Sequence, residues 1–164
     1  MSDMPAPGDA APSFAGPTAD GETVRLADYA GRRLLLYFYP KDDTPGCTKQ
    51  ACNLRDGLGE LKAQGIAVVG VSPDTTAAHG RFAEKHGLPF PLLADPEREI
   101  LNAYGVWGER SLYGKTVVGV KRTSFLIDGD GVVRHVFKRP KTADHTQEVL
   151  KKAAALGMIE EAAA

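Results

Sequence analysis

Two short apolar runs organise the chain. Residues 34–39 read LLLYFY and residues 66–72 read IAVVGVS. The first is aromatic-rich and closed by Pro40; each has the length and bounds of a strand buried in a core. Between them, Leu54, Leu58 and Leu61 recur at helical spacing. That spacing predicts a helix over 45–63, with Pro45 in its first turn and Gly65 beyond its end. A second helix is predicted over Thr75–His86, with Phe82 inward and Gly87 at its C-terminus. Residues 98–106 (REILNAYGV) predict a short helix. TSFLI (123–127) and VVRHVF (132–137), joined by DGDG, predict a hairpin, and His145–Leu156 a closing helix. The first 20 or so residues, rich in Pro, Gly and Ala, predict an extended lead-in.

The order is strand, helix, strand, helix, hairpin, helix. A βαβ half followed by a ββα half gives an α/β fold: a mixed central sheet with helices on both faces, as in a thioredoxin-like architecture. No repeat or linker divides the 164 residues, so one domain is expected over 1–164.

Composition narrows the function classes. With 43% apolar and 25% charged residues, the chain has the make-up of a water-soluble globular protein. A formal net charge of −1, with both signs interspersed, argues against a nucleic-acid surface. No apolar run approaches the roughly 20 residues of a membrane helix. The N-terminus has neither the positive nor the apolar region of a secretory signal, so the cytoplasm is the expected compartment. Thiols there are kept reduced, and two cysteines are expected to be catalytic, redox-active or metal-binding.

Both cysteines lie in YFYPKDDTPGCTKQAC, residues 37–52. Cys47 falls in the first turn of the predicted helix, where free amides and the positive end of the helix dipole favour a thiolate, the reactive form of the sulfur. If Pro45 opens the helix, Thr44 is its N-cap, with a hydroxyl able to bond either the helix amides or a ligand beside the sulfur. Gly46 has no side chain to screen the approach. The expectation is a small pocket with an accessible sulfur, suited to a small polar molecule that gains negative charge as it reacts. Against it stands a buried, inert core cysteine. Cys52, five positions on, is displaced by about 7.5 Å and about 140° on an intact helix. A disulfide needs Cα atoms within about 7 Å and converging Cβ vectors. Either Cys52 is an unrelated core residue or the first turns of the helix unwind to bring the pair together. Asn53, Asp56, Gly57 and Gly59 make such opening less costly.

The run from Pro40 through Thr44 to Cys47 matches the Pro-x-x-x-Thr-x-x-Cys signature of peroxiredoxins. With Cys52 at Cys-x-x-x-x-Cys spacing, the chain resembles the bacterioferritin comigratory protein, or peroxiredoxin Q, subgroup. GDAAPSF near the start, YGVWGERS (104–111) and KRTSFLID (121–128) extend the resemblance over nearly the whole chain. It implies a cofactor-free thiol peroxidase on a thioredoxin-like fold. Cys47 would be the peroxidatic thiol and Cys52 the resolving thiol; Thr44 and Arg122 would complete the peroxide site, and Pro40 would shield it. Peroxide attack would give a sulfenic acid at Cys47, an internal disulfide with Cys52 and then exchange with a dithiol protein. Oligomeric state and reductant vary within the family; a monomer and a thioredoxin- or glutaredoxin-like reductant are expected. Without the resemblance, Arg122 reads as a surface arginine at a strand edge.

Other features carry blander readings. GERSLYGKT (108–116) has five residues between its glycines where a phosphate-binding loop needs four. No Cys-x-x-Cys pair is present, and His79, His86, His135 and His145 are too scattered for a metal set; they are expected in solvent or at caps. Asp42 and Asp43 are expected to be solvated turn residues, and Trp107 a core residue rather than a lid. Two rivals remain: an oxidoreductase acting on protein disulfides, and a non-enzymatic thioredoxin-like binding module.

Overall fold

In the computed structural model, residues 4–159 are described. The frame is a five-stranded mixed sheet. Strands β3 (Arg33–Phe38), β4 (Ile66–Ser72) and β5 (Leu92–Ala94) run parallel; β8 (Thr123–Ile127) pairs antiparallel with β3, and β9 (Val133–Phe137) antiparallel with β8, giving the order β5-β4-β3-β8-β9. β3 is central and buried on both faces, which is why its sequence is continuously apolar rather than alternating. Its parity sorts the two cores. Leu35, Tyr37 and Tyr39 face one side, and Leu34, Leu36 and Phe38 the other.

The first face is covered by α1 (Pro45–Asp56), α2 (Leu58–Ala63), α3 (Thr76–His86) and α5 (His145–Ala155) through Ala51, Leu54, Leu58, Leu61, Phe82, Val149 and Ala153. The second is covered by α4 (Glu99–Ala103), by the lead-in residues Ala11 and Phe14, and by Val24 of a small antiparallel pair, β1 (Ala15–Pro17) and β2 (Thr23–Arg25). Helices therefore lie on both faces, as the element order predicts, though unevenly.

Two expectations change, and two elements appear where the pattern predicts none. The lead-in is not simply extended. Ala10 bridges Val132, and β1 pairs with β2 before a short 3-10 turn at Leu26–Tyr29. The single helix over 45–63 is two helices, broken at Gly57. A Cβ there would stand 2.3 Å from Cγ2 of Thr146, so the glycine admits the close approach of α5. β5 is only three residues long, too short to leave a periodic signal. Residues 107–120, for which no element is predicted, form a hairpin of β6 (Trp107–Leu112) and β7 (Lys115–Val120). It forms a separate two-stranded sheet, and most of β7 is exposed, so no hydrophobic alternation announces it. Its turn, Tyr113-Gly114, takes positive φ at both residues (52° and 76°), as a two-residue hairpin turn requires. The phosphate-loop lookalike is thus a β-turn. Trp107 is half-buried against the second core with Arg98 4.7 Å above its ring, which places it in the framework.

Candidate active site

β3 delivers the chain to a five-residue bend, Tyr39–Asp43, that ends in the N-cap Thr44. Thr44 is extended (φ −91°, ψ 156°), and Pro45 occupies the first helical position. The first backbone bond of α1 joins the Thr48 N–H to the Thr44 carbonyl at 2.8 Å, so the amides of Gly46 and Cys47 precede the helical ladder. The Thr44 hydroxyl does not cap the helix. It donates to the Lys41 carbonyl at 2.8 Å, which leaves its oxygen free to accept.

Cys47 is 1% exposed and packs in the first core with Tyr37 and Tyr39. The expected open pocket is nearly closed. Its cover is Arg122, which immediately precedes β8 and reaches back across the sheet edge. Nη2 of Arg122 donates to the Cys47 sulfur at 3.1 Å, and Nη1 donates to Oε1 of Gln50 at 2.8 Å. Arg122 is therefore half-buried in the site, not a free surface arginine. Gly46 makes room for it, since a Cβ at that position would lie 3.1 Å from Nη2. The guanidinium, the helix tip and the bare amides all present positive charge to the sulfur, the setting in which a thiolate is stabilised.

Two buried donors, one on the strand beneath Cys47 and one on its helix, have no protein partner among the described residues: the Tyr37 hydroxyl and Nε2 of Gln50. Burial pushes the Tyr37 hydroxyl well above the usual phenol range, and the negative charge of Cys47 adds to the rise, so Tyr37 stays a neutral donor.

Cys52 is half-buried further along α1, and both cysteines are free thiols. Its sulfur lies 3.9 Å from Nδ1 of His86. Pro40 is half-buried at the exit of β3. The sequence motif thus brings together Thr44, Gly46 and Cys47, and the fold adds Arg122; Cys52 stands apart on the same helix.

The bend before the helix is more structured than its sequence suggests. Asp42 is buried (8% exposed). It accepts from the Tyr39 hydroxyl at 2.6 Å, lies 2.6 Å from Nδ1 of His79, and its amide donates to Asp74 at 2.8 Å. His79 is itself buried, with Nε2 3.0 Å from the Leu93 carbonyl. His145 is also buried, bonded to Ser124 at 2.8 Å and Glu148 at 3.0 Å. Neither histidine is solvated, and Asp42 is not a free turn residue. Asp43 is the exposed one, paired with Lys85 and His86. Of the residues missed in the sequence, Gln50 carried a signal: three positions after Cys47, it shares its helix face. His79 and His86 carried none, because Asp42 and Cys52, which they meet, lie more than 30 residues away, and the burial of Asp42 follows from its distant contacts with His79 and Asp74.

A thioredoxin-like sheet with a thiol at a helix tip beneath a guanidinium defines a class, the thiol-dependent peroxidases. The chain belongs to the AhpC/TSA family, whose profile matches residues 7–136. It is 52% identical over 143 residues to peroxiredoxin Bcp of Escherichia coli strain K12, covering 87% of this chain and 92% of that protein. It is 45% identical over 131 residues to peroxiredoxin Bcp of Bacillus subtilis strain 168, covering 80% and 83%. Among solved structures it superposes on PrxQ of Xylella fastidiosa with a TM-score of 0.87 at 30% identity, covering 96% and 99%. The bacterioferritin comigratory protein of Xanthomonas campestris, in a structure concerned with its alkyl peroxide reduction activity, matches with a TM-score of 0.80 at 33% identity, covering 92% and 98%. The chain is thus a peroxiredoxin of the Bcp/PrxQ kind, a thiol peroxidase. Among the described residues, no helix is long and apolar enough to cross a membrane.

Proposed function

We propose that Cys47 is the peroxidatic thiol and Cys52 the resolving thiol of a single-domain peroxidase spanning the chain. The observation that carries this reading is the 3.1 Å approach of the Arg122 guanidinium to the Cys47 sulfur at the tip of α1. The Cys47 thiolate attacks one peroxide oxygen; an S–O bond forms, the O–O bond breaks, and the second oxygen leaves as water or alcohol. Charge moves from sulfur onto the oxygens, where Arg122 and the Gly46 and Cys47 amides stabilise it. The Thr44 oxygen accepts the peroxide's own O–H, and Pro40 screens the site from water. The substrates are hydrogen peroxide and alkyl hydroperoxides.

The resulting sulfenic acid condenses with Cys52 after the first turns of α1 unwind, and a thioredoxin- or glutaredoxin-like dithiol protein resets the disulfide by exchange. The enzyme works as a cytoplasmic monomer without a cofactor. Peroxide consumption by Cys47→Ser and Cys52→Ser tests the assignment. The first consumes none above background. The second consumes one equivalent and stalls as a sulfenic acid that a 1,3-dione traps on Cys47. Turnover by Cys47→Ser, or full thioredoxin-driven turnover by Cys52→Ser, removes the respective role.

A further inference from the structure

The second step of this cycle needs Cys52 as a thiolate, yet Cys52 lies past the helix tip, away from the amides and Arg122 that serve Cys47. Another set of groups meets it. His86 ends α3 and places Nδ1 3.9 Å from the Cys52 sulfur, while its Nε2 stands 3.3 Å from a carboxylate oxygen of Asp43. Carboxylate, imidazole and thiol are in line.

The imidazole is held from several sides. The Phe82 ring meets it edge to face at 5.2 Å. Arg55, one turn beyond Cys52, donates to the His86 backbone carbonyl at 2.6 Å, tying α1 to the end of α3. Asp43 reaches it from a left-handed backbone conformation (φ 62°), uncommon for a residue other than glycine. The charged or titratable groups facing His86 and Cys52 are Asp43 from the bend, Lys85 from α3, Arg55 with its partner Asp56 from α1, and Tyr37 from β3.

We propose that His86, oriented by Asp43, is the base that deprotonates Cys52 for resolution. This rests on the reading of Cys52 as the resolving thiol. With its Nε2–H directed at Asp43, the imidazole offers the Nδ1 lone pair to the thiol. The Cys52 proton passes to Nδ1, and the imidazolium is stabilised by Asp43. The Cys52 thiolate then attacks the Cys47 sulfenic sulfur. The S–S bond forms as the S–O bond breaks; the Cys47 sulfur is reduced, the Cys52 sulfur is oxidised, and the leaving hydroxide takes the proton to depart as water. His86 is catalytic in this step, and Asp43 is a positioning residue. The bend before α1 thereby serves both thiols: Thr44 at its end faces the first, and Asp43 one position earlier supports the base of the second.

The test follows the reduced protein after one equivalent of hydrogen peroxide, by rapid acid quench and mass spectrometry across pH 5.5 to 9.5. Wild type, His86→Gln, His86→Ala and Asp43→Asn are compared for Cys47 sulfenic acid and Cys47–Cys52 disulfide. Asparagine tolerates the left-handed backbone, so Asp43→Asn keeps the bend. Conversion of sulfenic acid to disulfide slows at least about tenfold in His86→Gln at pH 7, and the gap closes towards pH 9.5 as the thiol ionises unaided. Asp43→Asn falls between the two, and added imidazole speeds conversion in His86→Ala. Wild-type conversion in His86→Gln, or a slowing that is equal at every pH and unrescued by imidazole, overturns the proposal while leaving the role of Cys52 standing. A wild-type protein that forms no Cys47–Cys52 disulfide overturns both.

Discussion

Arg122 holds two residues of one helix face at once: the Cys47 sulfur through Nη2 at 3.1 Å and the Gln50 amide oxygen through Nη1 at 2.8 Å. The planar fork fixes the guanidinium over the sulfur, which a lysine's single ammonium cannot do. Arg122→Lys therefore keeps the charge and loses the geometry. The second-order rate of Cys47 oxidation should fall by about 10²-fold, the scale of removing one aligned donor from a site of developing charge. Gly46→Ala disturbs the same contact from the other side, because its Cβ meets Nη2 at 3.1 Å. Alanine suits a helix better than glycine by about 1 kcal/mol, so this variant should be no less stable and yet slower. Stopped-flow peroxide consumption and urea unfolding check the two; a Gly46→Ala protein oxidised at the wild-type rate would show that Arg122 does not need its present position.

Asn53 should set the boundary of the proposed unwinding. Its side-chain oxygen accepts from the Thr146 amide in the first turn of α5 at 2.7 Å, and its backbone carbonyl accepts from the Thr146 hydroxyl at 3.0 Å. It acts as a cap for α5 supplied by another helix, since Asp144, the α5 N-cap, makes no side-chain cap bond. Asn53→Ala should cost about 1–2 kcal/mol in urea unfolding. In the wild type, oxidation should strip amide-exchange protection from residues 48–56, whose amides donate to carbonyls in or before the unwound turns, and spare Gly57, whose amide donates to the Asn53 carbonyl. Protection unchanged over 48–56, or lost equally at Gly57, would contradict this boundary.

His145 gives stability a pH dependence. Burial holds its imidazole below the usual histidine value, partly offset by Glu148. The unfolded chain then binds a proton more readily than the folded one. The contribution is complete above about pH 6.5 and is lost as pH falls from there towards the lowered folded value. His135, lowered by burial and by Lys152, acts with the same sign. Melting temperature should drop between pH 7.5 and 5.5, and His145→Gln should show a smaller drop. Equal drops in the two proteins would assign the effect elsewhere.

Much of the fold was legible because long-range order coincided with local pattern. β4 and β8 fall where their apolar runs place them, and the caps of α3, Thr75 and Gly87, mark its ends. The need for glycine at position 57 was not, because the close contact that demands it is made by Thr146 on another helix. Nor was the β6–β7 hairpin, which meets the second core only where it enters and leaves, at Trp107 and Val120, so that little of either strand alternates. At the site, the run Thr44, Pro45, Gly46, Cys47 is local, and a strand-to-helix turn makes its chemistry readable. Arg122 became readable only through the family resemblance, since nothing near position 122 points to a sulfur 75 residues earlier. Asp42 and His79 were misjudged for the same reason: 37 residues separate two groups that bury each other.

The most direct test of the account maps the bond that peroxide creates. Reduced protein is treated with one equivalent of hydrogen peroxide, alkylated and digested without reductant, and its peptides are weighed. The account predicts a Cys47–Cys52 cystine within one chain, formed in step with loss of both thiols. Persistence of both free thiols, or a cystine joining two chains, would contradict it.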